Sequence, residues 1–270
     1  MCNKQVLIFD SGVGGLSIFD EIVQKTANID CFYLFDDAYF PYGELADDFL
    51  IKRLTALLIS FVTKQPVDLI VIACNTASTI ALSALRHYFS IPVVGVVPAI
   101  KPAAQLTKNG IIGLLATPGT IKRNYTSLLI NKFAADKKVL KIGSTELVKL
   151  AEEKLQGCKL DIARLQKILA PWLILENKPD TLVLGCTHFP LLKTEIAACF
   201  KHNIQLVDSG KAIANRVYQL LGESHNCQIA GAYRAYHTKA YQDSENKKGC
   251  ALQTSFAAYG FQSLNYYYHD

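Results

Sequence analysis

Leu69-Ile70-Val71-Ile72-Ala73-Cys74-Asn75-Thr76 and Thr181-Leu182-Val183-Leu184-Gly185-Cys186-Thr187-His188 read as two copies of one unit. In each, four apolar residues of a buried strand run into a small residue. A cysteine with polar neighbours then opens a helix. Side chains that leave a parallel strand at its carboxyl end stand where α/β sheets place ligands and chemistry. Two thiols at equivalent strand ends suggest a pair of acid/base groups facing one substrate.

Outward from these units, strands and helices alternate, the pattern of a parallel α/β fold. The first set of candidate strands is 5–9, 31–35, 69–73 and 92–96. The second is 111–116, 139–142, 181–185 and 204–207, with helices between, among them 47–63 and 76–88. The repeat extends beyond the cysteines. Ile91-Pro92-Val93-Val94 follows the first unit as Ile204-Gln205-Leu206-Val207 follows the second, at nearly the same spacing. Asp10-Ser11-Gly12 and Thr117-Pro118-Gly119 both follow apolar strands, and Asp208-Ser209-Gly210 echoes the first of them. Parallel α/β chains are also self-similar in general, so a true duplication and ordinary α/β regularity both fit.

The chain has 270 residues, enough for two α/β domains with real cores. Half of it is hydrophobic and 19% charged, which excludes a disordered chain. The net charge of +5 is scattered and makes no basic stripe interleaved with aromatics, so no nucleic-acid partner is expected. The eight cysteines lack the regular close spacing of a disulfide framework, and no Cys-x-x-Cys pair suggests a metal ribbon. The first residues run into a short strand rather than a signal-peptide core, and no apolar run reaches membrane-spanning length. A reduced, soluble, cytoplasmic protein with no membrane partner is expected.

The loop Asp10-Ser11-Gly12-Val13-Gly14-Gly15 follows a strand and opens a helix, but Ser17 stands where a dinucleotide fingerprint needs glycine. Its glycines allow backbone N–H groups to approach an anion; capping of the helix by Asp10 or Ser11 is the plainer alternative. Cys74 and Cys186 could be small buried hydrophobes. Their place at helix starts argues instead for thiols whose pKa is lowered from about 8.5. His188, two residues after Cys186, could be its proton partner. Pro190 suits a first helical turn. Asp36-Asp37-Ala38-Tyr39-Phe40-Pro41-Tyr42-Gly43 is a turn whose aromatics could wall a pocket or be a plain loop. Cys2, Cys31, Cys158, Cys199, Cys227 and Cys250 lack such surroundings.

Taken in order, several segments resemble the aspartate/glutamate racemase superfamily, in its glutamate-acting branch. They are Phe9-Asp10-Ser11-Gly12-Val13-Gly14-Gly15, Pro41-Tyr42-Gly43, Ala73-Cys74-Asn75-Thr76-Ala77 and Gly95-Val96-Val97-Pro98-Ala99 in the first half. The second half adds Ala116-Thr117-Pro118-Gly119-Thr120 and Gly185-Cys186-Thr187-His188-Phe189-Pro190-Leu191-Leu192. The likeness spans about residues 5 to 220. Tyr39 departs from it, standing where many relatives have arginine, and 222–270 resembles the family little. Glu152-Glu153 falls at an acidic pair of the family. Asp10 lies near the start of the chain, so no N-terminal extension of the kind linked to activation by a wall precursor in some relatives is expected.

The resemblance implies two similar parallel-sheet α/β domains related by pseudo-two-fold symmetry with the active site between them. Residues 1–98 plus 209–270 would form the first domain and 99–208 the second. It implies cofactor-independent interconversion of L- and D-glutamate, supplying D-glutamate for peptidoglycan, with no cofactor and no metal. Cys74 would handle the proton of the D-enantiomer, assisted by Asp10, and Cys186 that of the L-enantiomer, assisted by His188. Asp10, Ser11, Tyr42, Gly43, Asn75, Thr76, Thr187 and His188 would bind the substrate. A homodimer is expected. An aspartate racemase, another cysteine-dependent relative such as a maleate isomerase or decarboxylase, and a two-lobed amino-acid binding protein are the alternatives. Catalytic turnover separates the enzymes from the binding protein.

Overall fold

The computed structural model describes residues 3–26, 28–201, 203–222, 230–241 and 246–268. The chain begins β1 (Lys4–Asp10), α1 (Leu16–Lys25), β2 (Ile29–Phe35), α2 (Asp47–Lys64), β3 (Leu69–Ile72), α3 (Asn75–Tyr88) and β4 (Val93–Gly95). It continues with α4 (Ile100–Leu106), β5 (Ile111–Ala116), α5 (Pro118–Lys122), α6 (Asn124–Phe133), β6 (Lys138–Gly143), α7 (Glu146–Leu155) and α8 (Ile162–Leu173). Then come β7 (Thr181–Leu184), α9 (Lys193–Ala198), β8 (Gln205–Val207), α10 (Gly210–Leu221), β9 (Tyr233–His237), α11 (Asn246–Ala258) and β10 (Ser263–Tyr266).

Two all-parallel sheets result. One has the order β10-β9-β2-β1-β3-β4, the other β6-β5-β7-β8. Without β9 and β10, the first order is the second with each strand number lowered by four. The duplication anticipated from the cysteine units is therefore present in topology. It is present in register as well. Phe9 pairs with Ile72 and Leu115 with Leu184, so each cysteine lies two residues past the corresponding pair. Ala73 N–H donates to Phe9 O at 2.7 Å, and Gly185 N–H to Leu115 O at the same distance.

Burial explains why the strands read as unbroken apolar runs rather than alternating ones: both faces are covered. In β1, Val6 and Ile8 pack on one face with residues of α1 and α10, while Leu7 and Phe9 pack on the other with α2 and α3. In β5, Ile112, Leu114 and Ala116 join one cluster and Leu115 the opposite one, with α7 and α8. The eight strands read from the sequence are all present within a residue or two at each end. β9 and β10, which sequence reading missed, extend the first sheet beyond β2. Cys2 and Cys227 lie outside the described residues. No helix among the described residues is long and apolar enough to cross a membrane.

Candidate active site

The carboxyl ends of β1 and β3 meet those of β5 and β7 across a crevice, and side chains from the two halves touch there. Thr187 Oγ1 donates to Asp10 Oδ2 at 3.3 Å, and Ser17 Oγ to Thr187 O at 2.9 Å. Thr76 Oγ1 lies 3.1 Å from Thr117 Oγ1 and 3.4 Å from Thr120 Oγ1. A Cβ on Gly43 would stand 2.9 Å from Thr117 Cβ, so glycine lets the two walls close at that point.

Cys74 caps α3. Its sulfur accepts the Ala77 N–H at 3.5 Å and donates to Ser11 Oγ at 3.7 Å. The helix start was expected to lower the pKa of this thiol. The opposite holds: complete burial and the neighbouring Asp10 carboxylate push it well up, and one weak N–H bond does not offset them. Asp10 ends β1 and is fully buried. Its Oδ2 accepts Gly15 N–H at 2.6 Å, while Oδ1 is buried with no partner. Burial raises its pKa above the ordinary 3.8, partly opposed by the charge of His188.

That shift carries a cost in stability. An acid with a raised folded pKa stabilises the fold below its unfolded value. The contribution disappears as pH climbs through the folded value, leaving the ionised form at neutral pH a burden. Asp10→Asn is therefore expected to raise stability by on the order of 1 kcal/mol, roughly 2–4 °C in Tm for a chain of this size. It is also expected to lower kcat, and thermal melts beside initial rates measure the two effects. A lower Tm would show that the ionised carboxylate holds the fold together.

In the second half Cys186 Sγ lies 3.7 Å from His188 Nδ1, and His188 Nε2 lies 2.7 Å from Glu152 Oε1. His188 is buried, and its ring sits 5.7 Å from that of Phe40. Burial works against charging the ring, but Cys186 and Glu152 outweigh it and hold its pKa well above 6.5. At neutral pH the group is an imidazolium between a sulfur and a carboxylate. Gly14 packs on the same ring: a Cβ there would overlap it, 2.7 Å from Cγ.

All the residues expected from sequence are found at this crevice, with two changes of detail. Val13 N–H goes to Glu152 Oε1 at 3.0 Å and Gly15 N–H to Asp10, so these donors of the glycine loop serve protein carboxylates rather than a ligand. The phenol of Tyr42 donates to Asp36 Oδ2 at 2.6 Å, so its turn faces the crevice through backbone. Of the aromatics read as a pocket wall, Tyr42 is buried and Phe40 covers His188, while Tyr39 is exposed and stacks on Arg53.

Sequence reading did not single out Asp36, Thr117 or Thr120 for the site, and gave Glu152 no role. Thr117 and Thr120 occupy the end of β5 as Asp10 and Ser11 occupy that of β1, which is the signal that could have found them.

Comparison with known proteins agrees with this arrangement. A profile of the Asp/Glu/hydantoin racemase family matches residues 15–217. The glutamate racemase of Pectobacterium carotovorum subsp. carotovorum is 56% identical over 216 residues, covering 80% of this chain and 76% of its own. That of Klebsiella pneumoniae is 53% identical over the same length and share. Among solved structures, Escherichia coli glutamate racemase in complex with L-glutamate and the activator UDP-MurNAc-ala superposes with a TM-score of 0.91 at 46% identity, over 99% of each chain. A Bacillus anthracis glutamate racemase isoform superposes at 0.80 and 26% identity, over 100% of this chain and 98% of that one. The chain belongs to the Asp/Glu/hydantoin racemase family and, within it, to the glutamate racemases.

Proposed function

We propose that the enzyme interconverts L- and D-glutamate with two thiols and no cofactor, supplying D-glutamate for peptidoglycan. The observation that carries the mechanism is the placement of Cys74 and Cys186 at equivalent strand ends of two like-ordered sheets, on opposite walls of one crevice. Inverting a Cα centre needs a base on one face and an acid on the other. In the L-to-D direction the Cys186 thiolate takes the Cα proton, and the electron pair stays on the carbanion. The Cys74 thiol then delivers its proton to the opposite face and becomes the thiolate. The reverse reaction exchanges the roles.

The flanking groups serve those thiols. The His188 imidazolium, held by Glu152, is a donor towards Cys186 and a positive charge beside the developing carbanion. Asp10 stands beside Cys74, and its unpartnered Oδ1 suits the ammonium of the amino acid. Ser11, Asn75, Thr76, Thr187 and the Tyr42–Gly43 turn offer hydroxyl, amide and backbone donors to the two carboxylates. Thr117 and Thr120 add hydroxyls from the facing wall. A closed, dry crevice strengthens these donors and shields the carbanion from water. The same reading divides the chain into 1–98 with 209–270 and 99–208. The crossings adjoin where Ser209 Oγ donates to Val97 O at 2.6 Å. It also places the enzyme in the cytoplasm as a homodimer.

A chiral assay in heavy water tests the proposal. D-glutamate formed from L-glutamate should carry solvent deuterium at Cα, with L-aspartate left unchanged. Product that keeps its original proton would refute the two-thiol mechanism. Faster turnover of aspartate would refute the substrate.

A further inference from the structure

The segment after α10 resembles the family little in sequence, yet it reaches the wall of the crevice through one hydroxyl. Thr238 follows β9 directly and is buried. Its Oγ1 donates to Asp36 Oδ1 at 2.6 Å and accepts the Ala38 N–H at 3.2 Å. Asp36 is fully buried and gathers three more donations. Arg53 gives Nη2 to Oδ1 at 2.8 Å and Nε to Oδ2 at 3.0 Å, and the Tyr42 phenol takes Oδ2 at 2.6 Å. The Asp36 N–H in turn donates to Asp10 O at 3.1 Å, at the tip of β1.

Next door, Asp37 fastens the same strand end. Its Oδ1 accepts Thr238 N–H at 2.9 Å and Lys239 N–H at 2.8 Å, and its Oδ2 accepts the Tyr241 phenol at 2.6 Å. Burial raises the pKa of the Asp37 carboxyl. Burial and the neighbouring Asp36 raise that of the Tyr42 phenol, which stays a donor across the working range.

We propose that Thr238 is a positioning residue for the racemisation, holding the Tyr42–Gly43 turn in its substrate-binding geometry through Asp36. The guanidinium fork of Arg53 sets the plane of the Asp36 carboxylate. Thr238 and Tyr42 then each take a remaining lone pair, one on either oxygen. A buried carboxylate that loses one of its donors keeps a desolvated lone pair and turns to recover a partner. Here that turn displaces Tyr42, and Gly43 with it. The strand pair β9–β10 thus completes the crevice wall as well as widening the sheet.

The inference rests on the reading that the Tyr42–Gly43 turn holds a substrate carboxylate. Thr238→Val keeps the shape and removes the hydroxyl, Thr238→Ser restores it, and Tyr42→Phe cuts the same chain at its other end. Thr238→Val is expected to raise KM for both enantiomers roughly fivefold with kcat within about twofold. The Ser variant should return KM to the wild-type value, and Thr238→Val with Tyr42→Phe should cost little more than either alone. Thr238→Ala is read in the same way if the Val variant does not fold. A lower Tm with unchanged KM overturns the positioning role and leaves Thr238 a purely structural residue. So does a Ser variant no better than Ala. If Tyr42→Phe raises KM and Thr238→Val does not, this inference fails alone. If neither moves KM, the assignment of the turn to substrate binding fails with it.

Discussion

Replacing either Cys74 or Cys186 by alanine is expected to abolish racemisation, with kcat falling roughly 10²- to 10⁴-fold in both directions. Each thiol is one half of an acid/base pair, and nothing on its own wall can take its place. Ser11 beside Cys74 is a far weaker acid. His188 behind Cys186 already carries its proton and is tied to Glu152. The fold should survive, because each change removes a single small sulfur from a site that is open to the crevice, at a cost of about 1 kcal/mol or less. Chiral chromatography for rate and a thermal melt for folding make the comparison. Either variant turning over near the wild-type rate would sink the two-thiol mechanism.

The second large effect is expected at a residue with no functional group. Gly14→Ala puts a methyl group where the ring of His188 now sits. The ring has little room to retreat, being tethered to Glu152 on one side and covered by Phe40 on the other. It must tilt, and the 3.7 Å approach of Nδ1 to Cys186 opens. Misplacement of this size costs roughly a hundredfold in kcat, while overpacking costs about 1–3 kcal/mol in stability. A loss of stability with normal turnover would show that His188 does not need its present position, and would return it to a packing role. Rates at a temperature well below the variant's melt separate the two effects.

Much of this was legible in the chain because the signals are local. A strand buried on both faces must be apolar throughout, and a side chain at its carboxyl end must be polar to act. Hence Asp10, Cys74 and Cys186 stand out against Val6–Phe9, Leu69–Ile72 and Thr181–Leu184. What escaped reading depends on partners distant in sequence. Glu152 lies within α7 and gains its meaning only from His188 and the Val13 N–H. Asp36 looks like a turn residue until Arg53, Tyr42 and Thr238 converge on it. β9 is a short run, Tyr-Arg-Ala-Tyr-His, that is only partly buried and takes strand form by pairing with β2. The pKa of Cys74 ran against expectation for a related reason. The helix start is visible in sequence, while the depth of burial and the approach of Asp10 are not.

The like order of the two sheets has a consequence for kinetics. It sets Cys74 opposite Cys186 as equivalents, but the surrounding residues do not correspond. Asp10 ends β1 where Ala116 ends β5, and Thr76 follows the first cysteine where His188 follows the second. The two enantiomers therefore meet different walls. In achiral water, however, they have equal free energies, so their equilibrium constant is unity and the quotient kcat/KM must be the same in both directions. The unlike walls can show only in how that quotient divides, one enantiomer being held more tightly and released more slowly. A substitution at Asp10 or Gly14 can redistribute the division, but it must lower both quotients by the same factor.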